Sequence, residues 1–471
     1  IVIFQLNIKG RKIMKKFSII ILLLTFCFGS VVNAAKPEPR PTFDGVTVTA
    51  ALHSGPFVNA WGPHVKRIKE LYGINLELVG IPVNELYDKS ILELSMGTGA
   101  FDIVQYNPGW VGDYVDFIRP LDDFMDRWDP GWMDIHEGFR VWENTYGGKR
   151  VSLTMDGDVM IFYYNKNMFE DPKEMADFKS TYGYDLAPPA NYDQVLDIQK
   201  HFQRDTDGDG TIDQAGYSDP IIKRGRGQYP YLMRLFAYQK EAGITPNYFD
   251  PDTMEPLINS AEGIKALQNY VDTVANGVPG MLQWEWSEAH TCFMTGKCAS
   301  LIHWPDEGLM TSAFTANTGS AMGFADVPSK ANMTCGGWVA GVTNNSANPE
   351  AAYMVLDYIL GPDVSTHVAL FPGGGTDLFR QSHFDSAVVK MIAPQEYLDA
   401  FDSAIGDIVG ELRIPGGFEY YDSLDIQVQK ALAGEISAEE ALNQAAKNWK
   451  KITKNLGADT QKEMYAKAMG L

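Results

Sequence analysis

This sequence predicts an α/β fold made of more than one compact unit, and three observations predict it. The chain has 471 residues, 45% of them apolar and 21% charged, which is globular composition and enough length for two or three cores. From residue 46 onward, strand-like runs alternate with stretches whose apolar residues recur every three or four positions, the pattern of a parallel sheet with helical crossovers. The same alternation begins afresh near residue 155.

Val46 to Leu52, VTVTAAL, reads as the first strand. Trp61, Val65, Ile68 and Tyr72 then mark one face of a helix that Gly73 stops. INLELV (74–79) alternates as a second strand. Tyr87, Ile91 and Leu94 mark a second helix ending near Gly97, and FDIVQY (101–106) is a third strand. Sheets of this kind bind ligands beyond the carboxyl ends of their strands. Here those ends are His53-Ser54-Gly55-Pro56-Phe57, Ile81-Pro82 and Tyr106-Asn107-Pro108-Gly109-Trp110.

In the second unit, VMIFYYN (159–165) and CASLIHW (298–304) read as strands. Val195, Ile198 and Phe202 share a helix face entered near Asn191, as do Ile264, Leu267, Val271 and Val274 before Gly277. In NPEAAYMVLDYILGP (348–362), Asn348 is placed to cap a helix, Pro349 suits its first position, and Gly361-Pro362 ends it. Ser437 and Glu440 have the spacing of a capping box, with Leu442, Ala445 and Trp449 on one face behind them.

The chain begins with material that stands outside the fold. Met14-Lys15-Lys16 precedes an uncharged apolar run from Phe17 to Phe28, and Val32-Asn33-Ala34 offers small residues for cleavage. Residues 1–34 therefore read as upstream residues plus a secretory signal peptide, with a periplasmic or secreted product after cleavage near Ala34. A lipid anchor at Cys27 is disfavoured by the bulky Phe26 before it. Cleavage removes five basic residues and no acids, taking the formal charge from −21 to −26. So acidic a chain has no footing on nucleic acid or anionic lipid, and no later apolar stretch is long enough to span a bilayer. Cys292, Cys298 and Cys335 remain. Cys292 and Cys298 close the short loop CFMTGKC and are the favoured disulfide, with Cys335 able to replace either.

Five segments carry a resemblance. ELSMGTGAFDIV (93–104), IFYYNKNMFED (161–171), LAPPANYDQVL (186–196), CFMTGKCASLIHW (292–304) and GGWVAGVTNNSANPEAAYMVLDYIL (336–360) stand in that order over nearly all of the mature chain. Together they resemble the extracellular solute-binding proteins of ABC sugar importers, of the maltodextrin-binding type. Asn191-Tyr192 departs from that family's Thr-Trp helix entry. The resemblance implies a two-lobed periplasmic-binding-protein fold, each lobe a mostly parallel sheet flanked by helices. One lobe would take 45–150 and 342–370, the other 156–336 and 378–471. Hinge crossings would lie at 149–155, 337–341 and 371–377. It also implies a monomeric receptor whose partners are a sugar or oligosaccharide and the membrane subunits of a permease, with no bond made or broken.

A neutral sugar site needs aromatic planes for ring C–H groups, and carboxylates, amides and backbone for hydroxyls. The motifs put Tyr106, Trp110, Asp156, Trp304, Asp306, Gly337 and Trp338 at cleft positions. QWEWSEAH (283–290) adds Trp284 and Glu288, and its alternation puts one of Trp284 and Trp286 toward the cleft and the other toward the core. Trp61 reads as core and His53 as a structural histidine. Arg224, Arg226 and Arg380 are the candidates for an anionic solute, with KRGRG read as a solvated loop. A rival reading is a secreted carbohydrate-active enzyme, which needs two carboxyls flanking a glycosidic bond, such as Asp156 with Glu288. No nucleophile elbow, zincin or phosphate-loop motif supports other chemistry.

RDTDGDGTIDQAG (204–216) has the spacing of a calcium loop. Asp205, Asp207, Asp209, Thr211 and Asp213 occupy ligand positions around Gly210, while Gly216 stands where a bidentate Glu belongs. The missing ligand removes the geometry of a sensor. A calcium ion here would be structural, offsetting repulsion among close carboxylates. A calcium-dependent adhesion protein would repeat such loops, and this sequence has one.

Overall fold

The computed structural model describes residues 38–221, 227–334, 336–372 and 376–470. The leader and its cleavage point, Cys335, Arg224 and Arg226, and Gly373–Gly375 of the third expected crossing lie outside the described residues.

Two sheets organise residues 40–471. The first holds five strands: β1 (Thr47–His53), β2 (Asn75–Ile81), β3 (Ile103–Tyr106), β4 (Leu153–Asp156) and, much later, β8 (Trp338–Val342). Their order is β2-β1-β3-β8-β4. β1 pairs in parallel with β2 and β3, whereas β8 runs antiparallel between β3 and β4. All five residues of β8 are buried, as a central strand requires. The alternating pattern of the first hundred residues delivered these elements because each crossover helix has one apolar stripe and a clear stop. Gly73 and Gly97 close their helices in the left-handed conformation, at φ 73° and 66°.

The second sheet holds β5 (Ile161–Asn165), β6 (Ser300–His303) and β7 (Met322–Ala325), in the order β6-β5-β7. Here the expectation of a mostly parallel sheet is corrected, because β5 pairs antiparallel with both neighbours. The reason is directional. β5 leaves the first sheet's edge only four residues after β4 ends, while β6 and β7 return toward it. Isolated parallel bridges, Ala215 to Cys298 and Ser218 to Leu301, extend the edge beyond β6.

Local signals held in most places. Asn191 caps the helix Tyr192–Phe202 through the Gln194 N–H, and Ser437 caps Ala438–Asn455 through the Glu440 N–H. Asn348 does not cap by its side chain. Its own N–H instead donates to Ser346 Oγ, which fixes the turn one step earlier. Cys292 and Cys298 form the disulfide. Trp61 is fully buried, as its helix face requires.

Buried polar groups tie together the segments that run between the sheets. Asp377 N–H donates to Asp156 Oδ1. Asn107 Nδ2 donates to the Gly337 carbonyl, and Gly336 N–H donates to Glu411 Oε1 at 2.9 Å. The Thr154 hydroxyl donates to Glu143. The pairing of β4 and β8 shifts register between Trp338 and Val339, opposite Asp156 and Thr154. Such an irregularity re-aims side chains at a strand end, and it lies at the mouth of the cavity described next.

Candidate functional site

A cavity of about 310 Å³ opens between the two sheets. It gathers strand ends, as an α/β architecture predicts. β1 contributes His53, β4 Asp156, β6 His303 and β8 Trp338. Pro56, Phe57, Val83, Trp286, Trp304, Asp158, Asp306, Gly336 and Asp377 complete its wall. A larger surface groove of about 840 Å³ lies beside the helices Gly417–Leu432 and Ala438–Asn455. It is far from the strand ends, and Lys430, Glu439, Glu440 and Lys447 line it.

The aromatic wall is braced from behind. Trp338 packs edge-on against Phe57 and Trp110, with ring centroids 6.0 and 5.7 Å away, and tilted against His53. Trp304 meets His303 edge-on at 5.2 Å. Trp286 is 48% exposed at the rim and reaches the His303 ring. Gly337 is required by close approach. A Cβ there would lie 2.8 Å from Glu143 Oε1 and 3.0 Å from the Asp156 carbonyl. Gly336 sits at φ 89°, and a Cβ on it would point between Asp158 and the Trp304 indole N–H.

The polar side of the cavity is acidic. Carboxylate oxygens of Asp156, Asp158 and Asp377 lie within 4.8 Å of one another. Burial first, and the neighbouring Asp158 second, hold Asp156 well above the usual carboxylate range, against the Asp377 N–H. Burial and then Asp156 do the same to Asp377. Burial also raises Asp306, with His303 opposing. His303 is pushed down to about 4 by burial, so it is neutral at pH 7. Beneath it, the His290 ring bonds Glu307 at 2.6 Å, and that bond raises the histidine. No lysine or arginine lines the cavity among the described residues.

Of the residues singled out by sequence, Asp156, Trp304, Asp306 and Trp338 come together in the wall, with Gly337 shaping it from behind. Trp110 stands one layer back, against Trp338. Tyr106 is fully buried and stacks on Tyr114 at 5.3 Å, inside the first sheet's core and away from the cavity. Trp284 and Glu288 line a separate surface groove with Ile212, Val278 and Cys292. The helix begins at Trp286, so Trp286 alone of the two tryptophans faces the cavity. Glu288 closes the capping box of that helix through the Glu285 N–H. The pair Asp156 and Glu288, proposed for glycoside cleavage, is therefore not assembled. Arg380 is buried and donates to the carbonyls of Leu360, Pro130 and Gly131, so it meets no solute. Asp158, Asp377 and His303 escaped the sequence reading, whereas Phe57 belongs to a strand end that it placed where ligands bind. His53 lies in the wall although it read as structural.

In the loop 205–213, carboxylate oxygens of Asp205, Asp207 and Asp209 lie within 4.8 Å of one another. Asp205 already accepts the Gly208 and Gly210 N–H groups, and Asp209 accepts that of Thr211. Asp213 is turned aside, with both oxygens taken by Thr206. The donor set fits a hard cation through three carboxylates.

Two sheets facing a buried cavity of aromatic rings and carboxyls define a solute receptor of the two-lobed binding-protein class. The comparisons agree. The chain belongs to the family of bacterial extracellular solute-binding proteins, whose model matches residues 55–365. It is 23% identical over 363 residues to a probable amino-acid ABC transporter periplasmic-binding protein of Sinorhizobium fredii, covering 74% of this chain and 76% of that one. It is 21% identical over 435 residues to an erythritol/L-threitol-binding protein of Mycolicibacterium smegmatis, covering 87% and 86%. A solved ABC transporter solute-binding protein of Thermotoga lettingae, bound with α-D-tagatose, superposes with a TM-score of 0.68. It is 24% identical and covers 86% of this chain and 99% of that one.

Proposed function

We propose that this protein captures a sugar or polyol in the cavity between its two lobes and delivers it to the membrane subunits of an ABC importer. It acts as a monomer outside the cytoplasmic membrane, after cleavage near Ala34. The single observation that carries the reading is the cavity itself, with indole faces on one side and carboxyl acceptors on the other. Pockets for small ligands span roughly 300–1,000 Å³. At about 310 Å³ this one favours a single ring or short polyol over an oligosaccharide. An amino acid, suggested by one relative's name, fits less well, because its carboxylate would face four aspartates and no lining cation. Binding is without turnover. Lobe boundaries near the expected crossings, with a hinge closing over the solute, are part of the same proposal.

The test is thermal unfolding of the mature protein, stripped of co-purified ligand, against monosaccharides, polyols and oligosaccharides. A ligand at about 100 times its Kd should stabilise by ~2.7 kcal/mol. A shift confined to monosaccharides or polyols is expected. No shift with any carbohydrate would overturn the reading, and release of nitrophenol from nitrophenyl glycosides would favour the enzyme. We also propose a structural calcium ion held by Asp205, Asp207 and Asp209. A chelator should then lower the unfolding temperature, and Asp207→Asn should remove the difference; an unchanged temperature would dismiss the ion.

A further inference from the structure

The cavity gathers more carboxyl groups than a neutral solute needs, and burial makes Asp156, Asp306 and Asp377 hold their protons more tightly than usual. Asp156, Asp158, Asp306 and Asp377 all line it, and its described lining holds no lysine or arginine. Among the described residues the lining bases are His53 and His303, and burial keeps His303 neutral at pH 7. Glu307 and Glu143, buried just behind, add further acid. Asp156 Oδ1 already takes the Asp377 N–H. Asp306, which also lines the cavity, has a buried Oδ1 that accepts no hydrogen bond among the described residues.

Hydroxyl groups can bond to carboxyls, but they bring no charge that would let a buried acid ionise. In a closed cavity of low dielectric, neighbouring carboxyls beside a neutral solute therefore keep their protons. A protonated amine behaves differently. Its three N–H donors match converging carboxylate oxygens, its charge offsets theirs, and the carbons beside it carry partial charge that indole faces attract. Trp286, Trp304, Trp338 and Phe57 supply such faces around the carboxyl cluster. The same field turns away carboxylates and phosphates.

We propose that the solute is a hydroxylated amine, an amino sugar or amino polyol. Its ammonium sits among Asp156, Asp158 and Asp377, with Asp306 taking a further N–H or hydroxyl and the carbon skeleton against Trp304 and Trp338. This inference rests on the polyhydroxy reading above and narrows it.

Matched pairs test it by isothermal titration at pH 7 and 0.15 M salt (roughly physiological screening): glucose with glucosamine, sorbitol with 1-amino-1-deoxysorbitol, and N-acetylglucosamine as a neutral control of similar bulk. The amine of at least one pair should bind more than about tenfold tighter than its hydroxyl partner, a difference of ~1.4 kcal/mol. Asp158→Asn and Asp306→Asn should each shrink that ratio. Equal or tighter binding by the hydroxyl partner would overturn the inference and leave the polyhydroxy reading standing. No binding by any member would overturn both. Saturable binding of calcium or manganese chloride alone, lost in Asp158→Asn and with no amine preference, would replace the inference with a metal site.

Discussion

Asp156 shows how one side chain serves two masters. Its Oδ1 accepts the Asp377 N–H and so helps hold two crossing segments together, yet its carboxyl is buried beside Asp158, which favours the protonated form. Because its folded-state value is raised, the native protein keeps this proton at pH values where the unfolded chain has released it. The residue's contribution is therefore whole below the unfolded value, ~3.9, and is lost as pH rises through the folded one. Asp156→Asn keeps the acceptor and removes the charge. The ligand-free variant should be more stable than the parent at pH 8, the two converging near pH 4, as denaturant titrations across pH would show. Its ligand affinity should fall at the same time, a trade of stability against function. Trp286 makes a cleaner probe of binding alone. Being half exposed at the rim, it can become alanine with little effect on unfolding, within ~0.5 kcal/mol. Affinity should drop about tenfold, measured by titration with whichever solute the thermal panel identifies.

At the scale of elements, period and punctuation made most of the framework legible. β1 to β3 and their crossover helices follow from apolar spacing and from glycines that must turn left-handed. The two tryptophans at 284 and 286 could not be told apart, because alternation says nothing once a helix starts between them. Tyr106 misled for a related reason. β3 is buried on both faces, so a strand-end aromatic there has a core to enter as well as a cleft. The disulfide makes the element-scale prediction. It closes a loop from the helix Trp286–Met294 to the start of β6. Loop closure of that length is worth roughly 2 kcal/mol. Cys292→Ala with Cys298→Ala should lower the unfolding temperature accordingly, and mass spectrometry after alkylation should count two more free thiols in the reduced parent than in the oxidised one. Equal stability of variant and parent would show that the bridge is idle.

For the whole molecule, the site was the least legible part. Its wall draws on residues 53, 57, 156, 158, 286, 303, 304, 306, 336, 338 and 377, which nothing local in the sequence links. Asp158 and Asp377 sit in turn-like stretches that read as connectors; the register of β4 against β8 sets Asp156 opposite Trp338, and the Asp377 N–H bonds to Asp156. That register has a further consequence, concerning time. Among the described residues β4 pairs in the sheet with β8 alone, and β3 takes β8 as its second neighbour, so strands made early await one made some 180 to 230 residues later. Pairings so distant in sequence are slow to form. A chain ending before β8, at residue 330, should show no lasting hydrogen-exchange protection in β3 or β4, and native-like protection there would refute the idea. For a protein whose work lies beyond the cytoplasmic membrane, such lateness is useful. A chain exported unfolded would stay loose enough to be threaded across, its sheet locking only after the strand that completes it has followed.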